Sequence, residues 1–281
     1  MKTITYSLLF SLCFLLYSCT FNIDYPEKIK GKGEIITEQI VLESFKNVEL
    51  KRGWKIILKP ASSNYMVVSA NENLFEVLEH ENKAGNLVIG SSKQISSADS
   101  KQITLYFTDK LESLKVSSGT KVSSPEQLNF DDINLDLSSG SEVTLDLNVR
   151  SLDLETSSGS EVTLVLNVDD LFVDSSSGSS ANLDVNGIST QVESSSGSDV
   201  FLKGSSRQFE VRTSSGSSVN SKAFESEKVT AKASSGSSIS VYPIEDLKAE
   251  TSSGGAVYYY NKPLGSLDLN KSKSGGSIKL K

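Results

Sequence analysis

Residues 138–168 read SSGSEVTLDLNVRSLDLETSSGSEVTLVLNV, and this stretch contains two copies of one unit. Around each glycine, apolar residues stand at every second position and charged or polar residues stand between them. Such an alternation is typical of β-strands with one buried face. Each unit therefore predicts a strand, a Ser-Ser-Gly corner and a second strand. The apolar positions around the second glycine are Leu152, Leu154, Val162, Leu164 and Leu166.

The corner recurs at a nearly constant interval. Successive glycines of Ser-Gly motifs are separated by 21, 19, 19, 19, 19, 20, 18 and 21 residues. A flexible Gly/Ser linker does not keep such a period, and one unit cannot bury its apolar face unless units stack. We predict an all-β fold, a right-handed parallel β-helix (β-solenoid) with about nine Ser-Ser-Gly coils stacked at about 4.8 Å. The glycines are Gly119, Gly140, Gly159, Gly178, Gly197, Gly216, Gly236, Gly254 and Gly275.

A serine precedes the glycine in all nine motifs. If the alternation continues through the corner, this serine has the parity of the core positions. Because a hydroxyl can both donate and accept, stacked serines could satisfy one another inside the fold. We therefore expect a structural serine ladder. A catalytic role is disfavoured, because a nucleophile needs a base beside it. The central members of the expected ladder are Ser139, Ser158, Ser177, Ser196 and Ser215.

Residues 34–110 lack the motif, and we expect them to be a β-rich segment that caps the N-terminal end of the repeats in 111–281. Short strands are predicted around Val48, Ile56 and Leu87, and Asn73 with Glu76 three residues later predicts one short capped helix. A cap is needed because exposed strand edges invite aggregation. Lysines would protect the other end in the same way: Lys262, Lys271, Lys273, Lys279 and Lys281.

Residues 1–18 resemble an export signal. Lys2 is followed by a short apolar run that ends in Leu16-Tyr17-Ser18-Cys19, which is similar to the lipobox of bacterial lipoproteins. We predict cleavage before Cys19, lipid attachment at Cys19 and a tether over residues 19–33. The chain would be an outer-membrane lipoprotein of the cell envelope, facing the periplasm or the cell surface. The alternative is an ordinary signal peptide with an incidental cysteine.

The segments FKNVELKRGWKIIL (45–58), NLFEVLEHENKAGNLVIG (73–90) and LESLKVSSGTKV (111–122) precede the repeats. In this order they resemble the head GIN domain family of autotransporter adhesins, a domain of unknown function. The resemblance extends from Phe45 to about Tyr260. It implies export from a bacterial cell, a right-handed parallel β-helix and no catalytic residues.

One column of outward positions is acidic in four successive units. Its members stand four residues before the glycine, and stacked carboxylates repel one another. Two interpretations remain open: a solvated wall that keeps the protein soluble, and a weak Ca²⁺ site, since hard cations prefer several carboxylate oxygens. The four residues are Asp136, Glu155, Asp174 and Glu193.

His80 is the only histidine, so a His-based triad or metal centre is not available, and we expect no cofactor. The formal net charge of −7 would repel nucleic acid. Tyr258, Tyr259 and Tyr260 form the one aromatic cluster, and alternation would place Tyr259 in the core and leave the other two for packing or for stacking on a sugar.

We expect a non-enzymatic binding or structural lipoprotein, with adhesion to a glycan or protein ligand as its role and the membrane as a partner through Cys19. The alternative is a polysaccharide-processing enzyme or a glycan-binding protein on a β-helix scaffold. Arg150, Arg207 and Arg212 are too sparse to suggest a lyase site.

Overall fold

The computed structural model describes residues 27–281 except Asp109 and Lys273. These residues form an all-β solenoid of about nine turns, which confirms the predicted fold class. The predicted export signal and Cys19 lie outside the described residues. No helix in the described part of the chain is long and apolar enough to cross a bilayer.

The strands before the long repeats are short. These strands are β1 (Lys28–Lys30), β2 (Ile35–Val41), β3 (Asn47–Leu50), β4 (Lys55–Pro60), β5 (Tyr65–Asn71), β6 (Leu78–Lys83), β7 (Asn86–Ser91), β8 (Gln94–Ser97), β9 (Lys101–Phe107), β10 (Ser113–Val116), β11 (Lys121–Ser123), β12 (Leu128–Asn129) and β13 (Asp132–Leu137). Strand β3 pairs in parallel with β7 and β10, and β4 with β9 and β11, so the stack begins inside residues 34–110. Beyond β7 and β9, strands β2, β5 and β6 pair antiparallel and lie at the N-terminal end of the stack.

Six long strands then follow, each covering most of one turn and pairing in parallel with the next. The long strands and the final short ones are β14 (Glu142–Thr156), β15 (Glu161–Ser175), β16 (Ser180–Ser194), β17 (Asp199–Thr213), β18 (Ser218–Ala233), β19 (Ser238–Thr251), β20 (Ala256–Tyr259), β21 (Leu267–Lys271) and β22 (Ser277–Leu280). The first and the last of the long strands also pair with short strands in succession: β12 and β13 pair with the first, and β20 and β21 with the last.

One continuous apolar core runs through the stack. The inward positions predicted around Gly159 are at most 2% exposed. Midway along β14 the alternation restarts: Val149 and Leu152 are both buried, while Arg150 between them is exposed. In-register pairing places leucine on leucine, as for Leu145, Leu164 and Leu183. Stacking therefore buries the apolar face that one unit would expose.

Each corner is a tight turn with left-handed backbone at two successive residues. In the corner at 157–160, φ is 53° at Ser158 and 69° at Gly159, and the Ser160 N–H donates to the Ser157 carbonyl at 3.1 Å. Two successive positive φ values are typical of a type I′ turn. The Gly159 N–H donates to the Ser177 carbonyl of the next turn at 3.2 Å. The corners are therefore hydrogen-bonded to one another along the stack.

The predicted serine ladder is wrong in position. Positive φ at the serine before the glycine turns the backbone, so the alternation cannot be counted through the corner. The side chains at these positions lie on the outside of the corner. The exposed serines are Ser139, Ser158, Ser177, Ser196 and Ser215.

A buried hydroxyl ladder exists two positions away. Ser175 and Ser179 face each other across a corner with their Oγ atoms 3.0 Å apart, and Thr156 Oγ1 donates to Ser175 Oγ at 3.0 Å. Ser179 Oγ also donates to the Ser176 carbonyl at 2.7 Å. Hydroxyls thus line the inside of the corner. The column after the glycine is Thr120, Ser141, Ser160, Ser179, Ser198, Ser217 and Ser237, and the column before the corner is Thr156, Ser175, Ser194, Thr213 and Thr251.

Two details of the N-terminal segment differ from expectation. The helix predicted at Asn73 is a single 3-10 turn, Glu72–Leu74. Asn73 does not cap it, because its side chain accepts from the Lys32 N–H at 2.7 Å and donates to the Lys30 carbonyl at 2.9 Å. The predicted tether over residues 19–33 also contains structure, since β1 pairs with β8. The segment near residue 30 is thereby joined to the cap.

Candidate binding surface

The predicted acidic column is aligned in the structure. Its members are paired residue by residue across parallel strands: Asp136, Glu155, Asp174 and Glu193. A cation ends the column on each side, because Lys115 Nζ lies 2.6 Å from Asp136 and Arg212 Nη1 lies 2.9 Å from Glu193. Most of the charge at the two ends is thereby balanced, and the two central carboxylates make no ion pair within the described residues.

The electrostatics of the column follow from this arrangement. Partial burial raises the pKa of Asp174, and Glu193 and Asp153 raise it further. The hydrogen bond from Lys115 to Asp136 raises the pKa of Lys115. In the described residues, no three His, Cys, Asp or Glu side chains are grouped so that they could hold a metal ion. The choice between a solvated wall and a weak Ca²⁺ site therefore stays a prediction, which melting temperatures in CaCl₂ and in NaCl of matched ionic strength would test.

An open groove continues from the acidic column along the solenoid. It has a volume of about 720 Å³ and crosses six turns, from Asp174 to Lys271. It carries charges of both signs, and Lys232 and Glu250 form an ion pair at 3.2 Å. Hydroxyls of the corner serines line the same groove: Ser195, Ser214, Ser234, Ser252 and Ser272. Such a surface can hold an extended polar ligand through hydrogen bonds and ion pairs.

A ladder of asparagines, which the sequence analysis missed, lies on another face. The Asn148 amide donates to Asn129 Oδ1 at 2.9 Å, Asn167 to Asn148 at 2.7 Å and Asn186 to Asn167 at 3.2 Å. The sequence does indicate this ladder, because an asparagine stands eight residues after the glycine in three successive units. These amides bind one another, so they stiffen this face.

A second depression, of about 300 Å³, surrounds Phe201. Phe201 is 44% exposed and Val165 is 49% exposed, so two large apolar side chains occupy outward positions of a sheet that faces water. Sequence analysis missed this site because the repeat is irregular there: the interval from Gly216 to Gly236 has one extra residue.

The tyrosine cluster behaves largely as predicted. Tyr259 is 8% exposed and lies in the core, as the alternation indicated. The ammonium group of Lys281 lies 5.1 Å from the centre of the Tyr258 ring, which leaves Tyr260 as the exposed member. The cluster therefore offers no flat platform of two aromatic rings.

Family membership follows from the repeat region. A family model described as "Putative auto-transporter adhesin, head GIN domain" matches residues 44–183 and again residues 161–263. The chain belongs to this family. The two overlapping matches of the head GIN domain show that one pattern fits the repeats at two positions. No curated protein is similar enough to the chain to count as a relative.

Solved structures share the fold of this head GIN protein. An adhesin-like protein of Parabacteroides merdae, titled a putative adhesin, superposes with a TM-score of 0.67 at 16% identity over 90% of this chain and 99% of its own. A second, of Parabacteroides distasonis and with the same title, has a TM-score of 0.68 at 15% identity, covering 91% and 100%. A third, also of Parabacteroides distasonis and titled a putative lipid binding protein, has a TM-score of 0.65 at 14% identity, covering 90% and 100%.

Proposed function

We propose that this head GIN protein is a lipid-anchored, non-catalytic binding protein of the bacterial cell envelope that acts as an adhesin. The observation that carries the proposal is the open groove from Asp174 to Lys271, which crosses six turns and offers charges of both signs and hydroxyls. A shallow, extended surface suits a long ligand. The same role is supported by the two Parabacteroides proteins of this fold that are described as putative adhesins.

The anchor is proposed from Cys19 and the lipobox-like residues before it. A triacylated cysteine can hold a protein on a membrane, since each buried CH₂ contributes about 0.8 kcal/mol. Because β1 joins the chain to the cap at Lys28–Lys30, the free link between anchor and fold would be short.

Cell fractionation and ligand screening test the two halves of the proposal. Cys19→Ala should move the protein from the membrane to the soluble fraction, and protease added to intact cells should degrade the wild-type protein. Binding to a glycan array should fall in Arg212→Ala/Lys232→Ala, which changes the groove, and persist in Lys55→Ala, which does not. Membrane retention without Cys19 contradicts the anchor; equal binding by both groove and control variants contradicts the groove.

A further inference from the structure

The depression around Phe201 lies on a different face from the charged groove, because its residues follow the corner glycines. Phe201 stands in one outward column between Asn182 and Asn220, with which it pairs on the neighbouring turns. Other outward positions of this face carry small or polar side chains, such as Thr144, and Val165 is a second exposed apolar residue beside the depression. A ring that is 44% exposed in such a column presents an apolar surface framed by two amides.

A β-bulge opens the site on one side. One residue separates Phe201 from Lys203 on β17, whereas two residues separate their partners Asn220 and Ala223 on β18. The extra residue breaks the alternation, so Lys222 and Ala223 both reach the solvent. Bulges re-aim side chains and are frequent beside functional sites. Here the bulge brings the Lys222 ammonium into the lining of the depression that contains Phe201.

The depression carries net positive charge in a chain whose formal net charge is −7. Its lining contains one carboxylate, Asp184, and two ammonium groups, on Lys203 and Lys222. Asp184 and Lys203 form an ion pair with a separation of 2.9 Å. Lys222 has no ion pair among the described residues, so it remains available to an anion from solution.

We propose that this depression binds a pyranose sugar that carries a carboxylate, such as a uronic acid. The apolar C–H face of the ring would lie on Phe201, the carboxylate would pair with Lys222, and ring hydroxyls would bond to Asn182 and Asn220. A neutral sugar leaves Lys222 without its partner, and a purely apolar ligand leaves the amides unsatisfied. The assignment goes beyond the groove proposed above, because it adds a second site on another face and names the class of its ligand.

Saturation-transfer NMR with the purified full-length chain tests the site, with D-glucuronic acid and D-glucose as probes. Glucuronic acid should bind more tightly than glucose, and Phe201→Ala should weaken its binding by about tenfold through the loss of ring stacking. Lys222→Gln should bring the affinities of the two sugars together. Phe172→Ala, which alters an aromatic residue on the other face, should leave both affinities unchanged. Added NaCl should weaken only the binding of glucuronic acid.

Three results would overturn the site: equal affinity for the two sugars in the wild-type chain, no loss in Phe201→Ala, or a change of oligomeric state in Phe201→Ala. The last would make the depression an interface between copies. An unchanged melting temperature in Phe201→Ala establishes that the variant is folded, as expected for an exposed ring. If the sugar binds as described while the protein is not exposed on cells, the adhesin role fails and the site stands.

Discussion

At the scale of single residues, Ser179 is a buried hydroxyl of the corner that has hydrogen-bond partners on both sides. Ser179 lies 3.0 Å from Ser175 Oγ and 3.1 Å from Thr156 Oγ1. Ser179→Val should leave both neighbours short of a partner and reduce the free energy of unfolding by about 1–3 kcal/mol. Ser177→Asn is the control, because Ser177 is exposed at φ 53° and asparagine tolerates that backbone. Urea denaturation should show a loss only for Ser179→Val; equal losses would contradict the assignment of the inner ladder.

The side chain of Asp174 should make the stability of the protein depend on pH. Its pKa is raised in the folded state, so the folded chain holds the proton more tightly than the unfolded chain. Stability should therefore fall as pH rises from the ordinary aspartate value of 3.8 through the raised pKa, and the full penalty applies above it. Asp174→Asn should remove this penalty and stabilise the protein at pH 7 by about 0.5 kcal/mol, a small gain because the side chain is largely solvated.

The measurement is thermal or urea unfolding of the wild-type chain and Asp174→Asn at pH 7 and at pH 3. The difference between the two proteins should disappear at pH 3, where Asp174 is protonated in both the folded and the unfolded state. Asp199→Asn, an exposed aspartate just after the next corner, is the control and should not stabilise. A gain that is equal at both pH values would show that charge is not the cause.

At the scale of the element, each corner needs its glycine for the backbone conformation that glycine adopts, and not because a side chain would clash with a neighbour. Gly178 has φ 70°, and a Cβ added to it would meet no atom within 4 Å. Gly178→Ala should therefore lower the free energy of unfolding by about 1 kcal/mol through backbone strain alone. Gly178→Asn should cost less than half as much, since asparagine adopts this conformation more readily. Urea unfolding of the two variants checks the order; an equal or larger loss for asparagine would contradict it.

The strands could be predicted from the sequence, but the corner could not. The alternation at Leu152, Leu154 and Val162 identified the core, because side chains in a strand point to the same face at every second residue. The corner joins two such patterns through left-handed residues, which reset the phase, and Ser158 was therefore assigned to the wrong side. In seven of the nine motifs a serine or threonine follows the glycine, as Ser160 does. This recurrence indicated the buried column, but the prediction from alternation did not use it.

The candidate sites were predicted only where they follow the repeat. The acidic column could be aligned because its four members share one offset from the glycine. The site at Phe201 depends on a bulge, and a bulge is a departure from the period. Asn73 illustrates a third limit, since its amide serves the distant backbone at Lys30 and Lys32, which local helix signals do not reveal.

At the scale of the whole molecule, the in-register stack should tolerate the removal of one complete turn. Deleting residues 158–176 joins Ser157 to Ser177 and restores a Ser-Ser-Gly corner. Because each turn contacts its neighbours only, the shortened chain should fold cooperatively, with a denaturant slope reduced in proportion to the surface lost. Deleting 158–167 instead shifts the register and should unfold the protein. Circular dichroism and urea unfolding check both; loss of folding in the full-turn deletion would contradict the stacking.

The 19-residue spacing between stacked neighbours also bears on how fast the chain can fold. Sheet proteins usually fold slowly because their strands pair over long distances in sequence. Within the regular repeats, partners such as Leu145 and Leu164 are separated by 19 of 281 residues, a relative contact order of about 0.07, which lies in the range of helical bundles. A short loop closes each new turn onto one already formed, so the entropy cost of each step is small. This solenoid should therefore nucleate within a few adjacent turns and grow by addition, at rates more typical of helical proteins than of β-sandwiches.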